Sequence, residues 1–180
     1  MSAGIRSQGR LIMTDDVRVK GLTGSQAALL VPQLWHGLTP HRRRYMVWDA
    51  ADQHGPETLA RFVSLANVAC AAWVNGQFLG LAWVIPLTYG SRCGLIHMAS
   101  TGPRWQSEAI GNIWIRDVLP YHYDSLLAFL PVAFRHIRAM IEDMGFVRIS
   151  TIPGAACLTM RNNRIMDAIM YQKDLRHGHQ

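Results

Sequence analysis

Apolar residues recur along this chain with two periods, and the switches between them mark out its elements. From Asp16 to Gly21, Val17 and Val19 alternate with charged neighbours, which predicts a short first strand. Ser25 then stands as a helix cap before an apolar run to Leu34, a helix that Pro32 must kink or divide. Pro56-Glu57 opens a second helix, in which Leu59, Phe62, Val63 and Ala66 fall at i, i+3, i+4 and i+7 on one face.

Period two takes over next. The runs 68–74 (VACAAWV) and 77–86 (QFLGLAWVIP) flank Asn75-Gly76, a dipeptide suited to the two positive φ angles of a type I′ hairpin. Trp73 and Trp83 are expected to pack across that hairpin. A break at Tyr89-Gly90-Ser91 leads to a third strand, 93–100, completing an antiparallel meander. Ser107 predicts the cap of a helix with Ile110, Ile113 and Trp114 on one face, ending before Pro120. The run 125–130 predicts a strand, and Pro131 is read as the first residue of the following helix. That helix carries Ile137, Met140, Ile141 and Met144 on one face and stops at Gly145. Strands over 146–152 and 165–173 close the order βααβββαβαββ.

Composition narrows the class. A chain of 180 residues that is 49% hydrophobic and 17% charged can bury one core, which excludes disordered and fibrous proteins. Residues 1–13 are expected to form a loose tail and 14–180 a single domain. No secretory signal or membrane span is expected, since the longest apolar run, Phe78 to Leu87, covers ten residues and a span needs about twenty. Cys70, Cys93 and Cys157 stand apart among apolar neighbours, which predicts reduced core thiols and a cytoplasmic setting. No His/Cys pair has metal-ligand spacing, so no metal is expected. The net charge of +6 comes with sixteen Arg among the eighteen basic residues, and these are scattered. The one basic cluster, His41 to Tyr45 (HRRRY), is compatible with nucleic acid or a phosphate-bearing acceptor, although such a cluster alone is most often a solvated loop.

The element order and three segments carry a resemblance. The Asn75-Gly76 hairpin, the junction 100–111 (STGPRWQSEAIG) and the unit 138–149 (RAMIEDMGFVRI) together resemble the GNAT superfamily of N-acetyltransferases over about residues 16 to 173. The resemblance implies an α/β (α+β) fold with a mixed, mostly antiparallel seven-strand sheet flanked by four helices. It also implies acetyl-CoA or another acyl-CoA as co-substrate, bound where a β-bulge splays the fourth strand from the fifth. Pantetheine then lies in the gap like an added strand. The pyrophosphate belongs at the 100–111 junction, where N–H groups entering a helix form a positive concavity. The superfamily pattern Arg/Gln-x-x-Gly-x-Gly/Ala falls on Arg104 to Ala109, with Ser107 in place of the central Gly. Met98, Ala99, Ser100, Arg104, Gln106, Ser107 and Ala109 are the expected CoA-binding residues.

Acyl transfer to an amine requires a base for the ammonium and a proton for the departing thiolate. His97, in the strand expected to line the cleft, is the leading candidate base, with Asp124 second. Both also have ordinary structural readings, a satisfied core histidine and a turn carboxylate. The superfamily often places a Tyr acid where this chain has Ile141, and Tyr121, Tyr123 and His136 are the nearby substitutes. The expected function is acyl-CoA-dependent N-acyltransfer to a small-molecule or peptide amine. The alternative is a non-catalytic binding or assembly protein of the same fold. A nucleic-acid binder resting on HRRRY is a third and weaker reading, no membrane partner is expected, and a homodimer stays open.

Overall fold

The computed structural model describes residues 17–40, 42–43, 55–158 and 164–176. Strands β1 (Val17–Leu22), β2 (Val68–Val74), β3 (Gln77–Pro86), β4 (Cys93–Ser100), β5 (Ser125–Pro131), β6 (Val147–Leu158) and β7 (Arg164–Asp174) form one sheet. Their order is β1-β2-β3-β4-β5-β7-β6, and every neighbouring pair is antiparallel except β4 and β5. Helices α1 (Gly24–Ala28), α2 (Val31–Gly37) and α3 (Pro56–Ser64) lie on one face; α4 (Arg104–Asp117) and α5 (Arg135–Asp143) lie on the other. The seven-strand mixed sheet is the expected one.

Both faces of the central strands are covered, and this explains their nearly unbroken apolar sequence. In β2, Val68 and Cys70 join the core under α4 and α5, while Ala69 and Ala71 join the core under α1 to α3. The β2–β3 turn has φ of 51° at Asn75 and 77° at Gly76, the conformation the dipeptide predicts. Gly145 ends α5 with φ of 83°, and Lys173 Nζ donates to the Met144 carbonyl, so one of only two lysines closes that helix end.

Four local expectations are corrected. The first helical run is divided rather than kinked, giving five α-helices among the described residues where four were expected, because Pro32 lies in the opening turn of a new helix after Leu30. Its cap is Thr23, in a reciprocal capping box with Gln26, rather than Ser25. Helix α4 begins at Arg104 after Pro103, and Ser107 lies inside it, its hydroxyl donating back to the Pro103 carbonyl at 3.3 Å. Pro131 ends β5 opposite Ala168 instead of opening a helix, and α5 starts four residues later. The hairpin packing also differs. Trp73 meets Phe78 at 5.8 Å, whereas Trp83 stacks on His97 of the next strand.

The thiols divide. Cys70 is buried, and desolvation pushes its pKa up to about 12; Cys93 is only half-buried, at the start of β4. The Cys157 side chain lies outside the described residues. So do residues 1–16, His41, Arg44, Tyr45 and Trp48, and with them most of the basic cluster. Of that cluster, Arg43 lies over the Trp35 ring at 5.5 Å and donates to the Trp35 carbonyl. No helix among the described residues is long and apolar enough to cross a membrane.

Candidate functional site

The parallel pairing of β4 with β5 covers only Cys93–Leu95 against Ser125–Leu127. Beyond Leu95 the strands part, although β4 stays paired with β3 as far as Ser100 and β5 with β7 as far as Pro131. The edges that face each other are therefore the ones left without a ladder partner, in the middle of a sheet. No bulge causes this: the β3–β4 register runs from Gly80↔Ser100 to Pro86↔Gly94 without a shift. The expected bulge in β4 is absent, and the splay arises where β5 turns away with β7.

Two spaces open from this seam. A groove of about 300 Å³ lies at the start of α4, walled by Met98, Ala99, Ser100, Arg104 and Ser107. Five of the seven residues expected to bind CoA thus come together; Gln106 and Ala109 fall outside the wall. The rest of the wall is Leu38, Arg42, His136, Ile137 and Met140; of these, sequence reasoning named only His136 for the site, as a substitute acid. These residues lie far apart in sequence, and only α2, the segment after it and α5 folding over β4 bring them together.

Arg42 is the most telling of the missed residues. Its Nη1 donates to the carbonyls of Ser100 (3.1 Å) and Gly102 (3.0 Å), fixing the loop that enters α4. The Gly102 N–H in turn donates to Ser100 Oγ at 3.1 Å. Arg104 is held by carboxylates: Nε meets Glu108 at 2.5 Å and Nη2 meets Asp143 at 2.6 Å, which raises its pKa further. Glu108 therefore does more than complement the helix dipole, since with Asp143 it fixes the direction of the Arg104 side chain.

The second space is a cavity of about 130 Å³ between the parted strands. Ile96, His97 and Met98 all contribute to its wall, and successive strand residues point to opposite faces. The cavity therefore passes through the sheet. Of its lining residues, Ile141 and Phe146 belong to the core on one face of the sheet and Trp83 to the core on the other. Met98, Ile137 and Met140 belong to both walls, so groove and cavity adjoin.

His97 stacks on Trp83 with ring centroids 5.4 Å apart and 16° between planes, and Phe62 of α3 meets it edge-on at 4.8 Å. This apolar cover drives its pKa down to about 4 by desolvation, so the ring is neutral at pH 7. Its Nε2 and the Trp83 Nε1 are buried without a hydrogen-bond partner. Asp124 lies elsewhere. It flanks the closed end of the seam and pairs with Arg92 at 2.8 Å, which lowers its pKa, and it lines neither space. Of the alternative acids, Tyr121 is exposed, the Tyr123 hydroxyl is buried without a partner, and His136 lines the groove. Among the described residues no group of three or more His, Cys, Asp or Glu could hold a metal.

This arrangement defines a sheet with an opening between two of its central strands, β4 and β5, that adjoins the start of a helix. No protein-family model matches the sequence, and no curated protein matches it. Solved structures do. A ribosomal-protein-alanine N-acetyltransferase from Brucella melitensis aligns with a TM-score of 0.68 at 14% identity, over 87% of this chain and 99% of that one. An acetyltransferase of the GNAT family from Streptococcus pneumoniae aligns with a TM-score of 0.61 at 13% identity, over 88% and 99% of the two chains. A ribosomal L7/L12 α-N-protein acetyltransferase, solved in complex with coenzyme A, aligns with a TM-score of 0.61 at 13% identity. The chain is a divergent protein of the GNAT fold.

Proposed function

We propose that this protein transfers an acyl group from acyl-CoA to an amine. The observation that supports this most is the seam: β4 and β5 lose each other after three paired residues, leaving two bare backbone edges inside a sheet. Such edges call for an occupant that carries amides of its own, and the pantetheine arm of CoA has two. At one end of the seam, the groove offers the N–H groups entering α4, for which a pyrophosphate is the matching ligand. Met98, Ala99, Ser100 and Ser107 are assigned to that groove, with Arg104 poised beside it by its two carboxylates. Arg42 shapes the groove by holding the Ser100–Gly102 loop.

Acyl-CoA supplies a thioester, whose carbonyl carbon receives the amine lone pair: the C–N bond forms, the C–S bond breaks, and the sulfur leaves as a thiolate that takes up a proton. His97 is the titratable side chain that the described residues place in the cavity wall. Because it is neutral at pH 7, it is always available to accept the amine proton, but a pKa of about 4 means that it holds that proton weakly. Proton release must therefore accompany C–N bond formation. Ile141 has no proton to give, so the thiolate takes its proton from solvent in the groove.

Thermal unfolding with and without acetyl-CoA, CoA and ATP tests the reading. At a hundredfold over its Kd, a CoA species should add about 2.7 kcal/mol of stability. No shift with either CoA species overturns the proposal. The second reading, a binding protein without turnover, is favoured by a cavity wall to which the described residues contribute no carboxylate. It would be supported if CoA species stabilise the fold but no amine in a panel of polyamines, amino acids and peptides releases CoA.

A further inference from the structure

The two adjoining spaces differ in chemistry. Among the described residues, the groove has Arg42, Arg104, Ser100, Ser107 and His136 in its wall, whereas the side chains of the cavity wall are apolar apart from His97 and the Trp83 indole N–H. An occupant of both would carry its charge at the α4 end and an apolar part in the seam. The cavity also has a size. An apolar cavity of about 150 Å³ accommodates benzene, so the 130 Å³ here takes close to six carbon atoms, far more than the single methyl of an acetyl group.

From this geometry we infer that the cavity through the sheet is an acyl-chain pocket for a chain of about four to six carbons, longer than acetyl. The inference rests on the acyl-CoA reading above. Three features of the wall support it. No carboxylate of the described residues lines the cavity, so these walls are a poor host for an ammonium group. Met98, Met140 and Met144 contribute flexible, polarisable side chains that adapt to an alkyl chain. Trp83 Nε1 and His97 Nε2, buried without partners, add to the bare strand edges two side-chain groups that can meet the carbonyl of an acyl chain. Phe134 and Phe146 set the far limit.

The test is a series of CoA, acetyl-, butanoyl-, hexanoyl- and decanoyl-CoA, with affinities measured calorimetrically on the full chain. Each buried methylene is worth about a fourfold gain, so hexanoyl-CoA should bind at least about tenfold more tightly than acetyl-CoA, with no further gain at decanoyl. Ala128 lines the cavity, and Ala128→Leu should fill part of it and reduce the hexanoyl-to-acetyl affinity ratio by about tenfold. If that variant does not fold, Ile137→Phe, at a half-buried position shared by both walls, serves the same end. Equal affinity for acetyl- and hexanoyl-CoA overturns the chain-length inference and leaves the acyl-CoA reading standing. No binding of any CoA species overturns both.

Discussion

The closed and open halves of the β4–β5 seam are built from the same two strands yet rest on opposite physics. At the closed end, Cys93–Leu95 and Ser125–Leu127 satisfy each other's backbone, and the flanking charges, Arg92 and Asp124, face solvent. At the open end the facing edges lack ladder partners, and the cavity between them is walled by apolar side chains, buried or half-buried, with one neutral histidine. A sheet that could close stays open because β7 draws β5 away while β3 holds β4. The comparison teaches that the site is made by strand divergence, and its chemistry by what the divergence leaves dry.

Acid should strike the open half hardest. His97 has a folded pKa of about 4 against an ordinary 6.5, so between those values the unfolded chain binds more protons than the folded one. Stability contributed by the neutral ring is complete above pH 6.5 and is lost as pH falls toward 4. The loss should approach about 3 kcal/mol over that window. Urea unfolding at several pH values, comparing the wild type with His97→Gln, isolates it, because other titrating groups cancel. Phe62→Ala should narrow the window by letting water reach the ring. A difference between wild type and His97→Gln that does not change with pH would refute the desolvated histidine.

Steric probes sharpen the contrast. A Cβ at Gly80 would meet the Ala99 carbonyl oxygen at 2.2 Å and the Ser100 Cα at 2.9 Å, both backbone atoms of the open half of β4. At Gly94, in the closed half, it would meet side-chain atoms of Val84 at 2.3 Å and Tyr123 at 2.8 Å. Both Gly→Ala changes should cost about 1–3 kcal/mol by overpacking. Only Gly80→Ala must move the strand that walls the groove, so it alone should also weaken CoA binding. Denaturant titration paired with calorimetry checks this, and equal CoA affinity in the two variants would refute the placement of the groove against β4.

Much of this was legible in the sequence. The hairpin at Asn75-Gly76, the apolar face of α5 and the stop at Gly145 follow from local rules, because φ at a turn and the period of a helix depend on neighbouring residues. Helix starts were misread at Ser25, Ser107 and Pro131, since several nearby residues could serve and packing decides among them. Five of the seven expected groove residues were found because they are contiguous along the β4–α4 junction. Arg42, Ile137 and Met140 were not placed there, because their positions depend on contacts between distant segments, 58 and 60 residues apart for Arg42 and 39 for the Arg104–Asp143 pair that ties α4 to α5. The apolar neighbours of His97 hinted at burial. Its stacking on Trp83 depends on the β3–β4 register, which periodicity alone does not fix.

The smallest expected effect belongs to the closed end. Asp124 is an exposed carboxylate paired with Arg92, whose hydrogen bond holds its pKa below the usual 3.8. Its stabilising contribution is therefore present above that value and lost only as pH falls below it, clear of the window in which His97 titrates. Exposure and salt screening keep such a pair weak. Asp124→Asn should leave melting almost unmoved at neutral pH and in moderate salt. It should also leave turnover with an identified amine within about twofold of wild type, well short of the loss of a hundredfold or more expected on removing a general base. Melting curves and steady-state rates on the same preparation check both. A hundredfold loss of rate in a variant that still folds and binds CoA would move the proton acceptor from the open half of the seam to the closed one.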